Sequence, residues 1–164
     1  MMARMIDLPT KFAQSKTYVP VLTVMVDYGN APFLWCVDAQ EEVGVGGNIC
    51  EGTGWEEGGL MSEGLWRKFA DWAIEFDQTS FYLEDFDDSG WDWIAFHKRG
   101  LQLSRWLKEE VGDAYRVVYN KPPEDPNRRI DERMEILRDG RWVSAPSFRD
   151  LHSASRFCAH IVSG

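Results

Sequence analysis

Histidine and cysteine are both scarce in this chain, with three of each among 164 residues. That scarcity removes most of the side chains from which metal centres and imidazole or thiol catalysis are built. Cys36, Cys50 and Cys158 are odd in number, widely spaced and outside any CxxC pattern, so they read as reduced thiols rather than a disulfide frame. No apolar run approaches the length of a membrane span, and the opening Met1-Met2-Ala3-Arg4-Met5-Ile6-Asp7 lacks the apolar stretch of a secretion signal. A cytoplasmic protein with no membrane partner is expected. A basic surplus is missing too. The net charge is -9 and the pI about 4.8, which disfavours nucleic acid as a direct partner, because counterion release needs a face rich in lysine and arginine.

What the chain does have is acid, unevenly placed. Residues 1–112 hold 9 basic and 19 acidic side chains, whereas 113–164 hold 9 and 8, so an acidic body carries a near-neutral, arginine-bearing end. Lys121, Arg128, Arg129, Arg133, Arg138 and Arg141 surround that end and are expected to pair with the protein's own acids. Eight Trp, nine Phe and five Tyr supply a large apolar payload for one domain of this length, 1–164, without metals or disulfides.

Hydrophobic periodicity organises the chain. The β-branched run Tyr18 to Asp27, then Phe33 to Val37, predicts a hairpin, and Gly44 to Gly59 predicts a long glycine- and glutamate-rich loop spanning 44–60. Ser62 is placed to cap a helix to about Phe76, with Leu65, Phe69, Trp72 and Phe76 on one stripe. A second helix is expected from near Ser89, capped by Asp88 or Ser89, to Val111. Trp93, Phe96, Gly100, Leu103 and Leu107 form its inner face and Gly112 its stop. Ala114 to Tyr119 reads as a strand, Asp139-Gly140 as a two-residue hairpin turn between Met134–Leu137 and Arg141–Val143, and Ser147 as the cap of a short last helix. Strands and helices are grouped rather than alternating, which predicts an α+β fold: a single mostly antiparallel sheet covered by two amphipathic helices.

Motifs of known chemistry fail on their residues. No GxxxxGK[ST] is present, Ile49 stands where a dinucleotide fingerprint needs its third glycine, and Glu41, Glu42, Glu51, Glu56 and Glu57 would repel phosphate. Asp85-Phe86-Asp87-Asp88-Ser89-Gly90 begins like a calcium-binding EF-hand loop, but Phe96 falls where the bidentate glutamate belongs. His152, Cys158 and His160 lack a fourth ligand at recognised spacing, and His97, beside Trp93 and Leu101 at helical spacing, reads as a boundary residue rather than a catalyst. No catalytic residue, metal or cofactor is therefore expected. The acidic excess of Glu84, Asp85, Asp87, Asp88 and Asp92, with Trp91 among them and Trp55, Glu56 and Glu57 in the glycine loop, is instead the predicted contact surface for a basic protein partner.

From Ser62 to Pro126 the pattern resembles small bacterial proteins that serve as immunity partners of polymorphic or contact-dependent toxins. The residues concerned are Phe69-Ala70-Asp71-Trp72-Ala73-Ile74-Glu75-Phe76-Asp77, Trp91-Asp92, Gly100-Leu101-Gln102-Leu103 leading through Leu107 to Gly112, and Arg116-Val117-Val118-Tyr119. The resemblance implies a non-catalytic inhibitor that binds a basic toxin such as a nuclease, and it carries no site residues over. Two alternatives stand beside it: a phage-borne acidic inhibitor of a host nucleic-acid-binding complex, and a small hydrolase or transferase using the 84–92 segment as a metal site.

Overall fold

The computed structural model of the protein describes residues 19–37, 47–48, 60–83, 90–128 and 133–145. In chain order these form β1 (Val21–Val24), β2 (Leu34–Val37), β3 (Gly47–Asn48), α1 (Glu63–Asp77), α2 (Trp93–Val111), a 3₁₀ turn at Gly112–Ala114, β4 (Arg116–Asn120), β5 (Arg133–Ile136) and β6 (Trp142–Ser144). All six strands join one sheet in the order β3-β2-β1-β4-β5-β6. Every neighbouring pair is antiparallel except β1 with β4, which run parallel with Val21 opposite Arg116 and Val24 opposite Tyr119. The fold is therefore α+β with a mixed, mostly antiparallel sheet. β3 lies inside the stretch expected to be a loop, because the backbone of Gly47 and Asn48 pairs with Cys36 and Trp35 of β2. The expected last helix after Ser147 falls outside the described residues.

The side-chain alternation of the strands sorts one face toward the core. Cys36, Leu22, Val117 and Ile136 line up across the sheet, and Leu34, Val24, Tyr119 and Met134 form the next row. Apart from Cys36, which is half-buried and packs against them, these residues belong to one buried cluster with Leu65, Phe69, Trp72 and Phe76 of α1 and Trp93, Phe96, Leu103 and Leu107 of α2. Phe33 stacks on Phe69 with 5.0 Å between ring centroids, and Trp72 on Phe96 with 4.9 Å. All four residues of β1 are buried, as suits a strand at the centre of a sheet. On the opposite face Arg116 makes a bidentate bond to Glu135, donating from Nε at 2.9 Å and from Nη2 at 2.6 Å.

The helix ends follow local chemistry. The Ser62 hydroxyl accepts from the Leu65 N–H at 3.3 Å and donates to Glu110 at 2.7 Å, so the start of α1 is tied to the end of α2. The cap of α2 is Asp92, accepting from the Ala95 N–H at 2.9 Å. This corrects the expected start near Ser89. Trp93 is the first core-facing residue of the stripe, and the carboxylate immediately before it satisfies the free N–H groups. At the other end Lys108 donates to the carbonyls of Gly112 and Tyr115 at 2.7 and 2.8 Å, covering acceptors that a helix terminus leaves open. Gly100 lets α2 approach the sheet closely, since a Cβ there would lie 2.5 Å from the Tyr119 ring and 2.6 Å from Trp72.

The Asp139-Gly140 turn also differs from expectation. Gly140 alone takes a positive φ, 77°, while its N–H donates to the Leu137 carbonyl and the Leu137 N–H to Arg141. That is a turn closed by a bulge-forming glycine, one residue longer than a two-residue loop. Between β1 and β2, Gly29, Asn30 and Ala31 all have positive φ. The segment is fastened to the end of α1, where the Gly29 N–H donates to Asp77 at 2.9 Å and the Tyr28 hydroxyl lies 2.7 Å from the Thr79 hydroxyl.

Candidate functional site

The polar groups of the described residues concentrate where β1 and β4 end side by side. In a sheet containing parallel strands, that carboxyl end is where connecting loops diverge and ligands commonly sit. His97, on the inner stripe of α2, is buried there and both ring nitrogens are engaged: Nδ1 lies 2.7 Å from the Tyr119 hydroxyl and Nε2 2.8 Å from Asp125 Oδ2. Asp125 is itself buried, accepts from the Asn127 N–H at 2.8 Å and has the Lys121 ammonium at 3.8 Å. Burial, and then the charge of Asp125, push the Tyr119 hydroxyl far above the usual phenol range, so it stays protonated. Asp125 accepts from Nε2–H, and the contact of Nδ1 with the Tyr119 hydroxyl engages the other ring nitrogen.

This histidine is therefore a core residue rather than the boundary residue expected from its spacing. It shares with hydrolytic triads a carboxylate that orients the ring. The position a nucleophile would take is filled by a fully buried phenol, however, so the ring has no nitrogen left to accept a substrate proton. What the arrangement does is pin the loop 121–128 to α2. Sequence signals for two members were present, His97 inside an apolar stripe and Tyr119 alternating with Val117. Asp125, in a loop bounded by Pro122, Pro123 and Pro126, has no periodicity to betray its partner.

Beside this cluster, Glu124 has one carboxylate oxygen buried without a hydrogen-bond partner among the described residues, as do the Asn120 carbonyl oxygen and Arg128 Nε. Burial above all, with the nearby Asp27 carboxylate adding to it, raises the Glu124 pKa. Among the described residues no three His, Cys, Asp or Glu side chains come together as a metal site.

The residues singled out for partner binding divide sharply. Trp55, Glu56, Glu57, Glu84, Asp85, Asp87 and Asp88 lie outside the described residues, whereas Trp91 and Asp92 lie within them. Asp92 is exposed and serves as the cap of α2. Trp91 is half-buried, its ring 5.2 Å from that of Phe81 and 5.4 Å from that of Phe96, so its indole belongs to the edge of the core. Exposed apolar side chains stand instead on either side of the acidic stretch. Tyr82 and Leu83, just before Glu84, are 63% and 52% exposed, and Ile94, just after Asp92, is 83% exposed. Sequence reasoning missed these three because Tyr82 and Ile94 adjoin inward-packed aromatics, Phe81 and Trp93, with Leu83 one residue further on, and adjacency alone does not tell which residue turns outward.

Several cations of the arginine-bearing end, among the described residues, pair with the protein's own acids. Arg138 bonds Asp113 at 2.7 Å, Arg141 bonds Asp139 at 2.6 Å and Lys121 faces Asp125, in line with the expected internal pairing. No described helix is long and apolar enough to cross a membrane. No protein-family model matches the chain, and no curated protein and no solved structure is significantly similar to it.

Proposed function

We propose that this protein is a non-catalytic inhibitor of the immunity type, a cytoplasmic binder that neutralises a basic protein such as a toxin nuclease. The observation that carries this reading is the pairing of exposed apolar anchors with acid in one continuous stretch: Tyr82 and Leu83 before Glu84, Asp85, Asp87 and Asp88, then Ile94 after Asp92. Carboxylates steer a cationic partner and raise the encounter rate, while apolar side chains that become buried hold it.

The test is capture from native lysate followed by binding kinetics. The protein retained should be basic. Reversing Asp85, Asp87 and Asp88 to Lys should slow association several-fold and flatten its dependence on salt. Tyr82→Ala and Ile94→Ala should leave association nearly unchanged and speed dissociation, with the stronger anchor costing about 2 kcal/mol. A captured partner that is not basic, or whose affinity ignores both charge reversal and salt, would refute the proposal.

A further inference from the structure

The exposed side chains of Tyr82 and Leu83 stand on a short turn after α1, closed by the Leu83 N–H donating to the Ser80 carbonyl at 2.9 Å. Apolar side chains this exposed are drawn inward unless the backbone holds them out. The hold comes from Tyr28, in the connection between β1 and β2 and 53 residues before Phe81. Its hydroxyl accepts from the Phe81 N–H at 3.1 Å and lies 2.7 Å from the Thr79 hydroxyl, which donates to the Phe76 carbonyl at 2.7 Å. The direction of this chain follows from its two ends. Thr79 has a single proton and gives it to a carbonyl, so it accepts from Tyr28. Tyr28 accepts from an amide N–H, so its own proton is free to go to Thr79. Each hydroxyl donates once and accepts once, and the chain ends on the last turn of α1. The rings repeat the arrangement. That of Tyr28 lies 4.8 Å from Phe76 in the core and 4.9 Å from Tyr82, which meets it at 80°, while Phe81 turns inward to within 4.9 Å of Trp93. Tyr28 is itself fixed, because the Gly29 N–H beside it donates to Asp77.

We infer that Tyr28 is a positioning residue of the proposed contact surface: its hydroxyl sets the conformation of Ser80 to Leu83 and so presents Tyr82 and Leu83 as a preformed anchor. The inference rests on the binding reading above and adds how the anchor is held. Side chains ordered in the free protein leave less entropy for binding to remove. Without the Tyr28 hydroxyl the turn samples other conformations, only a fraction of which present the anchor, and the apparent affinity falls by that fraction. Phenylalanine at this position keeps the ring and its packing, so the loss isolates the hydroxyl chain.

The first test is ¹⁵N relaxation of the full-length protein, with no partner present. The amides of Phe81, Tyr82 and Leu83 should have order parameters near the rigid value of about 0.85, falling toward about 0.6 in Tyr28→Phe and in Thr79→Val, which break the chain at two different links. Thr79→Ser keeps a hydroxyl and should keep the order. Amides of β4 should stay rigid in all three variants, which separates a local hold from damage to the core. The second test uses the captured partner. Tyr28→Phe should weaken binding about three- to ten-fold, the worth of one net hydrogen bond, and should change nothing further once Tyr82 and Leu83 are both alanine. A turn already flexible in the unaltered protein, or one that keeps its order in Tyr28→Phe and Thr79→Val, would overturn the assignment. So would an equal loss of affinity in the alanine background, since Tyr28 would then touch the partner itself. Failure to capture a basic partner sinks the binding reading and leaves the relaxation result to decide whether Tyr28 holds the turn, so the two fail separately.

Discussion

At the scale of single residues, two glutamates pull stability in opposite directions with pH. The Arg116 guanidinium, bonded to Glu135, holds that carboxyl below its ordinary value, whereas burial holds Glu124 above it. A depressed carboxyl stabilises the fold above its unfolded pKa, and the contribution is lost as pH falls through the folded value. A raised one does the reverse: its contribution is complete below the unfolded pKa and disappears as pH climbs through the folded value. Glu135→Gln should therefore destabilise at neutral pH and less so at about pH 4, the remaining difference closing only as pH falls through the folded value, which lies below the ordinary glutamate range. Glu124→Gln should stabilise at neutral pH and do little at about pH 4. Urea unfolding of both variants at the two pH values checks this, and parallel behaviour of the pair would show that the signs are wrong. Neither shift was visible in the sequence, where Glu124 and Glu135 are two acids among 27. The Arg116 contact crosses between adjacent strands, and the environment of Glu124 comes from a loop fold that no periodicity encodes.

At the scale of elements, the stripes Leu65-Phe69-Trp72-Phe76 and Trp93-Phe96-Gly100-Leu103-Leu107 were legible because burial of one helix face imposes a 3.6-residue rhythm on the sequence. The antiparallel hairpins were legible through their turn residues. The parallel pairing of β1 with β4 was not, since nothing local marks which strands will meet after two intervening helices. The candidate anchors Tyr82, Leu83 and Ile94 were equally hidden, for they sit where the helical rhythm has stopped or just begun. Gly100 provides a test of how α2 seats on the sheet. In an isolated helix Gly→Ala gains about 1 kcal/mol. Here the added methyl meets the rings of Tyr119 and Trp72, one held by His97 and the other by its indole bond to the Phe96 carbonyl, and overpacking of this kind costs about 1–3 kcal/mol. Gly100→Ala should therefore lower stability by about 1 kcal/mol net of the helical gain, measured by urea unfolding. A gain in stability would mean that α2 stands farther from β4 than the structure places it.

At the scale of the whole molecule, a net charge of -9 in 164 residues sets like charges against one another across the acidic part of the chain, and salt relieves part of that repulsion. The melting temperature at neutral pH should rise between low salt and about 0.3 M sodium chloride, and the rise should vanish near the pI of about 4.8. Scanning calorimetry at the two pH values checks it, and an equal rise at both would assign the effect to general salting-out instead. The seam between β1 and β4 has a consequence in time. β1 with β2, and β4 with β5 and β6, join strands close in sequence, whereas Val21 meets Arg116 only across both helices. Closing that long loop costs entropy before its contacts return anything, so the seam is a late step of folding. During synthesis the first hairpin leaves the ribosome with the inner edge of Val21–Val24 bare, a row of free backbone donors and acceptors, until Asn120 has emerged. The pace of translation between those two strands thus governs how long the nascent chain is open to pairing with the wrong neighbour.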